Sequence, residues 1–281
     1  LDPEVISIKI TIYRLSKISN VVSSLINAAK NGKKVLVQIE LQARFDEANN
    51  INHAEQLEAA GVKLIFGIQG LKVHSKIGVI EKRVNDKIKR FGFISTGNFN
   101  EDTAKVYTDY TLFTSNRKLL KEVNKVFNFL EVPYKLKKYK HLIVSPHYSA
   151  NTIERLIDNE IKNRLEGKTS GIQLKMNAIT NYKLIDKLYE ASAAGVPIKM
   201  IVRGICCLIP GVKGLSEHIE VVSVVDKFLE HPRVYIFENG GEPKYYISSA
   251  DFMTRNIENR VEVAAPIYDL DLQNQIQDVF S

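Results

Sequence analysis

Cysteine is scarce in this 281-residue chain, and the two it has, Cys206 and Cys207, are neighbours. Adjacent cysteines bridge each other with difficulty and lack the spacing of a zinc ligand set, so neither a disulfide framework nor a zinc module is expected. A reducing, cytoplasmic setting follows as the simplest expectation. Long apolar runs are missing too, which argues against a membrane-spanning helix, and no secretory pattern precedes the first strand-like segment. The chain opens at Leu1-Asp2-Pro3 without an initiator Met, as expected of a fragment. Disorder-prone composition is also lacking, since 44% hydrophobic and 25% charged residues are the proportions of a folded globular protein. The length suffices for two domains, each burying its own core.

Positive charge is what the chain has in excess. Its 39 Lys+Arg against 32 Asp+Glu give a net charge of +7, which points to an anionic partner. Nucleic acid, phospholipid headgroups and polyphosphate all match that sign. The run Lys135-Leu136-Lys137-Lys138 reads instead as an exposed linker.

Alternation reveals an internal duplication. Ile6, Ile8, Ile10 and Ile12 alternate with polar residues, and Ile172, Leu174 and Met176 do the same in the second half. Each strand precedes an amphipathic helix that stops at a glycine, Gly32 or Gly195, the residue best suited to a left-handed terminus. A second strand follows in each half, at 35–39 and 198–202. The closing segments 123–127 and 276–280 match as well. Strands alternating with helices predict an α/β fold of two tandem domains, each a mainly parallel or mixed sheet flanked by helices. The basic, Tyr-containing stretch from Pro133 places the boundary so that the domains span 1–141 and 142–281.

The chemistry sits at matching places. Residues 70–81 read as a strand carrying His74 and Lys76 on one face, and residues 230–238 repeat this with His231 and Arg233. Both fit His-x-(Lys/Arg)-x-x-x-x-Glu, ending at Glu81 and Glu238. Each is followed by small polar residues, Ser95-Thr96-Gly97-Asn98 and Ser248-Ser249-Ala250-Asp251. A neutral imidazole can attack phosphorus and carry the group covalently. A cation two residues on can hold the non-bridging oxygens, with Asn98, Asn100 and backbone N–H groups completing the cradle. One such histidine is ordinarily structural; two at equivalent positions predict a catalytic site shared by the halves. His53, His141, His147 and His218 lack this context and read as structural or exposed. Arg14 ends the first strand and Arg44 follows the second, where ligands bind in α/β sheets. Gly97 and Gly240-Gly241 read equally as phosphate-approach or ordinary turn glycines.

The paired strands resemble the phospholipase D superfamily, with Glu81 and Glu238 where its hydrolases carry Asp. A fuller resemblance is to the polyphosphate kinases of the first type. It runs through Thr11 to Leu15, Glu40 to Glu47, Gly70 to Lys76, Thr96 to Asn100, Tyr107 to Tyr110, Val202 to Cys206, Phe228 to His231, Glu238 to Gly241 and Ser248 to Asn256. The resemblance implies phosphorylation of His74 by ATP and reversible transfer of the group to polyphosphate, with His231 assisting. It implies nucleotide contacts by Tyr107 and Arg203, and Mg²⁺ at Arg14 and Arg44. A guanidinium has no lone pair to offer a metal, so these arginines are expected to hold phosphates that carry the Mg²⁺. Expected partners are ATP, ADP and polyphosphate rather than nucleic acid. A homo-oligomer of the full-length enzyme and peripheral membrane association are compatible with the same family. An N-terminal region contributes to the family's nucleotide site, so weak ATP binding is expected of a fragment. Competing readings are a phospholipase D-type phosphodiesterase or nuclease using the same histidines, and a non-catalytic polyanion-binding module.

Overall fold

A computed structural model describes residues 2–41, 47–134 and 138–280, and the chain divides into two units, Leu1–Leu142 and Ile143–Ser281. In the first unit β1 (Val5–Ile12), α1 (Asn20–Lys30), β2 (Lys34–Ile39), α2 (Glu47–Ala59) and β3 (Lys63–Phe66) form two successive crossovers. They are followed by β4 (Lys72–Val73), β5 (Lys76–Val84), β6 (Lys87–Ser95), β7 (Tyr107–Thr108), β8 (Thr111–Thr114) and α3 (Arg117–Glu131). The main sheet runs β3-β2-β1-β5-β6-β8. Only β1, β2 and β3 are mutually parallel, and the β5, β6 and β8 pairings are antiparallel. The sheet is therefore mixed rather than mainly parallel, because strands after β4 return by hairpins instead of helical crossovers.

The second unit repeats this plan. Its elements are β9 (Ile143–Ser145), α4 (Ser149–Leu165), β10 (Ile172–Met176), α5 (Tyr182–Ala193), β11 (Ile198–Val202), β12 (Ile219–Val222), β13 (Leu229–Glu230), β14 (Arg233–Phe237), β15 (Lys244–Ser248), α6 (Thr254–Glu258), β16 (Arg260–Ile267) and α7 (Leu270–Gln277). The order β12-β11-β10-β14-β15-β16 matches the first sheet strand for strand, and β9 pairs with β16.

Local chemistry explains the shared framework. Ser19 caps α1 by accepting from Val22 N, and Asn181 caps α5 by accepting from Leu184 N. Both helices end where predicted, with Gly32 and Gly195 at positive φ and their N–H groups returned to Ala29 O and Ser192 O. Ile10, Ile12, Val37 and Ile39 bury against Val22 and Leu25 of α1 and Leu57 of α2. The second core sets Leu174, Met176, Tyr235 and Phe237 against Ile157 of α4 and Leu184 and Leu188 of α5. These cores fix the ends of the central strands, where the candidate residues lie.

Candidate active site

Both histidines stand at a break in a strand. β4 stops at Val73, His74 and Ser75 lie outside the ladder, and β5 begins at Lys76; β13 stops at Glu230, His231 and Pro232 intervene, and β14 begins at Arg233. The sequence pattern suggested one continuous strand in each place, and specific contacts accompany each break. The Thr11 hydroxyl donates to Ser75 O at 2.7 Å and accepts from Ile77 N at 3.0 Å, occupying groups a ladder would use. Pro232 has no N–H to give. The His231 carbonyl accepts from Asn177 Nδ2 at 3.2 Å and Arg233 Nη1 at 2.9 Å.

In the first unit His74 and Lys76 are buried, 8% and 3% exposed. The Tyr13 ring meets the His74 ring edge-on, with centroids 4.8 Å apart, and Lys76 Nζ lies 5.2 Å from the centroid of the same ring. Tyr13 thus packs against both members of the motif. Glu40, at the end of β2, accepts from Val73 N at 3.1 Å, just before His74. Asn50 of α2 donates to Tyr13 O at 3.0 Å and Glu40 O at 2.8 Å, clamping the ends of β1 and β2 together. Arg14, Lys76 and Asn98 line one small cavity of about 10 Å³. Tyr107 lies in a different, wider pocket of about 390 Å³ that it shares with Asn98, Asn100 and Asp109. Asn98 borders both. Arg44 lies outside the described residues.

In the second unit Arg233, 4% exposed, forks onto Asp251, with Nε–Oδ1 at 3.2 Å and Nη2–Oδ2 at 3.0 Å. Its Nη1 also approaches His231 Nε2 at 3.1 Å. A guanidinium only donates, so this is a hydrogen bond only when that ring nitrogen is unprotonated. Asn177 donates its backbone N–H to Asp251 Oδ1 at 2.7 Å and accepts from Arg203 Nε at 2.5 Å. Arg203, Asn177, Asp251, Arg233 and His231 therefore form one connected network. Burial would raise the Asp251 carboxyl, but the Arg233 charge and the hydrogen bonds from Arg233 and Asn177 outweigh it and hold the group well below the usual carboxylate range. Lys175 and Glu230 form an ion pair beside the break.

Strand register matches the units residue by residue. Lys76 faces Ser95 as Arg233 faces Ser248, and Ile12 lies beside Ile39 as Met176 lies beside Val202. Tyr13 thereby corresponds to Asn177, Glu40 to Arg203 and Asn98 to Asp251. A further pair lies behind them. Thr96 donates to Asp109 Oδ1 at 2.6 Å, and Ser249 donates to Glu262 Oε2. A Cβ at Gly97 would fall 1.9 Å from Asp109 Oδ2, so any other residue there would force the Asp109 side chain to move. Tyr13, Glu40, Asn50, Asn177, Asp109 and Glu262 were given no site role from sequence; Tyr13, Glu40 and Asp109 lie in strings that carry the family resemblance, and register against the opposite half was the further signal.

Glu81 and Glu238, which complete the sequence motif, are not beside the histidines along the strand. Glu81 lies five residues along β5 from Lys76, accepting from Arg90 Nε at 2.8 Å and Ser7 Oγ at 2.9 Å. Burial opposes its ionisation, but these bonds keep its carboxyl below the ordinary value.

Two family models match the chain: polyphosphate kinase C-terminal domain 1 over residues 1–136 and polyphosphate kinase C-terminal domain 2 over residues 142–281. The chain belongs to the polyphosphate kinase family. It is 52% identical over 278 residues to a polyphosphate kinase of Vibrio parahaemolyticus and 50% identical over 278 residues to one of Escherichia coli K12. Each alignment covers 99% of this chain and 40% of the relative, so the chain spans about two fifths of the polyphosphate kinases it matches. The crystal structure of polyphosphate kinase from Porphyromonas gingivalis superposes with a TM-score of 0.90 at 40% identity, over 99% of this chain and 46% of that one. Phosphatidylserine synthase of Haemophilus influenzae, at 12% identity and a TM-score of 0.62, shares the fold alone. The chain is built as two tandem α/β units, each with a mixed sheet flanked by helices. No helix among the described residues is long and apolar enough to cross a membrane.

Proposed function

We propose that this chain carries the phosphoryl-transfer chemistry of a polyphosphate kinase, with His74 as the covalent carrier. The observation that supports it most is the repeated strand break, which presents an imidazole two residues before a buried cation in both halves of a chain of this family. In the forward direction a His74 ring nitrogen attacks the γ-phosphorus of ATP. The N–P bond forms, the bridging P–O bond breaks, and ADP leaves with the electron pair. A terminal oxygen of polyphosphate then attacks the same phosphorus, the N–P bond breaks, and the imidazole regains its lone pair. Lys76 and Arg14 hold non-bridging oxygens, which favours the transition state because charge spreads over them there. His231, held beside Arg233, assists as phosphate ligand or proton donor, and Arg203 and Tyr107 contact the nucleotide.

Mg²⁺ needs oxygen ligands. Among the described residues no three carboxylate, histidine or cysteine groups gather into a metal site, and Arg14 is itself a cation. Arg14 therefore does not coordinate Mg²⁺ itself, and a magnesium ion is expected to arrive on the nucleotide phosphates.

The test is incubation of the protein carrying this chain with γ-labelled ATP. Acid-labile, base-stable label on protein is expected, absent in His74→Ala and present in His231→Ala with transfer to polyphosphate lost. Label surviving His74→Ala removes His74 as carrier. Diester hydrolysis without any label establishes the phosphodiesterase reading instead.

A further inference from the structure

The far end of the β5–β6 hairpin exceeds what the shared fold requires. β5 and β6 have nine residues each, whereas the matching β14 and β15 have five. The Phe237–Lys244 pair that closes β14–β15 corresponds to Ile80–Phe91, so residues 81–90 are an extension of the first unit only. This extension holds Lys82, Arg83, Lys87, Lys89 and Arg90 against Glu81 and Asp86. It turns at Asn85 and Asp86, both at positive φ, as a tight hairpin demands.

Ion pairing sorts these cations. Lys82 meets Asp2 at 2.6 Å and Glu4 at 3.2 Å, and Arg90 meets Glu81 at 2.8 Å. Lys87 and Lys89 are exposed, with no carboxylate partner among the described residues. β8 pairs only with Gly92–Ser95 of β6, leaving the outer edge of Lys87–Phe91 without a neighbouring strand among the described residues. A groove of about 690 Å³ runs along that edge, lined by Lys87, Lys89, Arg90 and Phe91 and by Ser115 and Arg117 at the start of α3. The first turn of α3 has no acid and begins Arg117-Lys118, where the helix dipole disfavours cations. An anion in the groove relieves that repulsion. Edge lysines also guard against strand association, but that role calls for neither the groove nor Arg117.

We infer that this groove is a second binding site for a polyphosphate chain, holding the polymer away from its reacting end. The inference rests on polyphosphate being the substrate. Lys87 lies opposite Val84, eight residues along β5 from Lys76, or roughly 26 Å at the usual strand rise. Only a long polymer spans that distance, so the site acts on long chains through effective concentration.

The experiment replaces Lys87→Ser, Lys89→Ser and Arg117→Ser together in the active protein. The KM for long-chain polyphosphate should rise about tenfold and the slope of log KM against log salt should fall by about 2, as removal of three phosphate contacts predicts. Tripolyphosphate kinetics and labelling by ATP should not change. Lys87→Arg, Lys89→Arg and Arg117→Lys together should retain wild-type behaviour, and single substitutions serve if the triple variant unfolds. An unchanged long-chain KM and salt slope in a folded triple variant overturns the inference, as does an equal rise for tripolyphosphate. Direct binding of long polyphosphate to a His74→Ala protein, with and without the groove substitutions, separates this result from failure of the activity reading. An oligonucleotide of matched charge bound equally well by the groove overturns the assignment to polyphosphate.

Discussion

The two units place different chemistry on the same backbone. In the second, Arg233 is locked by a carboxylate fork, and the adjoining Asn177 ties Asp251 to Arg203. In the first, Lys76 sits over the Tyr13 ring, and the position of Asp251 is taken by the neutral amide of Asn98, whose Oδ1 has no hydrogen-bond partner among the described residues. A guanidinium held by two parallel bonds has a fixed place, whereas a lysine ammonium is a compact charge on a flexible stem. The difference is one of residue type at matched positions, a bidentate ion pair in the second unit and a cation–ring contact in the first.

The sharpest way to break that comparison is to remove the matched residues Asp251 and Asn98. Asp251→Ala leaves a buried guanidinium without its carboxylate and should cost about 3–5 kcal/mol of stability. Asn98→Ala removes a half-buried amide and should cost about 1 kcal/mol or less. Denaturant melts of the two variants decide, and equal losses would show that the fork adds no more to stability than the Asn98 amide. Acid adds a check. The folded Asp251 carboxyl is held below its unfolded value, so its contribution is complete above about pH 4 and is lost as pH falls through the folded value. Asp251→Asn should therefore flatten the acid limb of the stability profile, while Asn98→Ala leaves it unchanged.

A smaller effect sharpens the likeness between the units. The hydroxyl–carboxylate pairs Thr96–Asp109 and Ser249–Glu262 occupy matched positions, but Glu262 is 2% exposed while Asp109 is exposed. Ser249→Ala should cost about 2 kcal/mol because it strips a bond from a buried carboxylate, and Thr96→Val about 1 kcal/mol because water replaces the hydroxyl. Thermal melts showing the reverse order would mean that burial does not set the difference.

Much of this was legible in the sequence because it depends on local signals. Alternation around Ile8 and Leu174, the stops at Gly32 and Gly195, and the His-x-cation repeats all lie within short windows. Three things were not legible. The strand break at His74 is accompanied by a bond from the Thr11 hydroxyl of another strand, 64 residues away from Ser75. Asn50, fully buried on α2, shows its role only once β1 and β2 end side by side. The Asp251 fork joins residues 18 apart across β14–β15, a pairing that register determines and spacing does not.

The smallest expected effect concerns the glutamates that end the sequence motif. A motif reading gives Glu81 and Glu238 one role, since both stand five residues after the cation. The structure gives them different ones. Glu81 braces the base of the extended hairpin through Arg90 and Ser7, while Glu238 directly follows β14, its backbone N–H donating to Gly171 O. Glu81→Gln should remove a part-exposed ion pair and cost about 0.5–1 kcal/mol, whereas Glu238→Gln should be close to neutral because its backbone bond survives. Neither should alter the protein-bound label from γ-labelled ATP that the proposal assigns to His74. Loss of labelling in both variants, with melting temperatures intact, would show that the two carboxylates act on the chemistry as a matched pair and that the units are more alike than their side chains indicate.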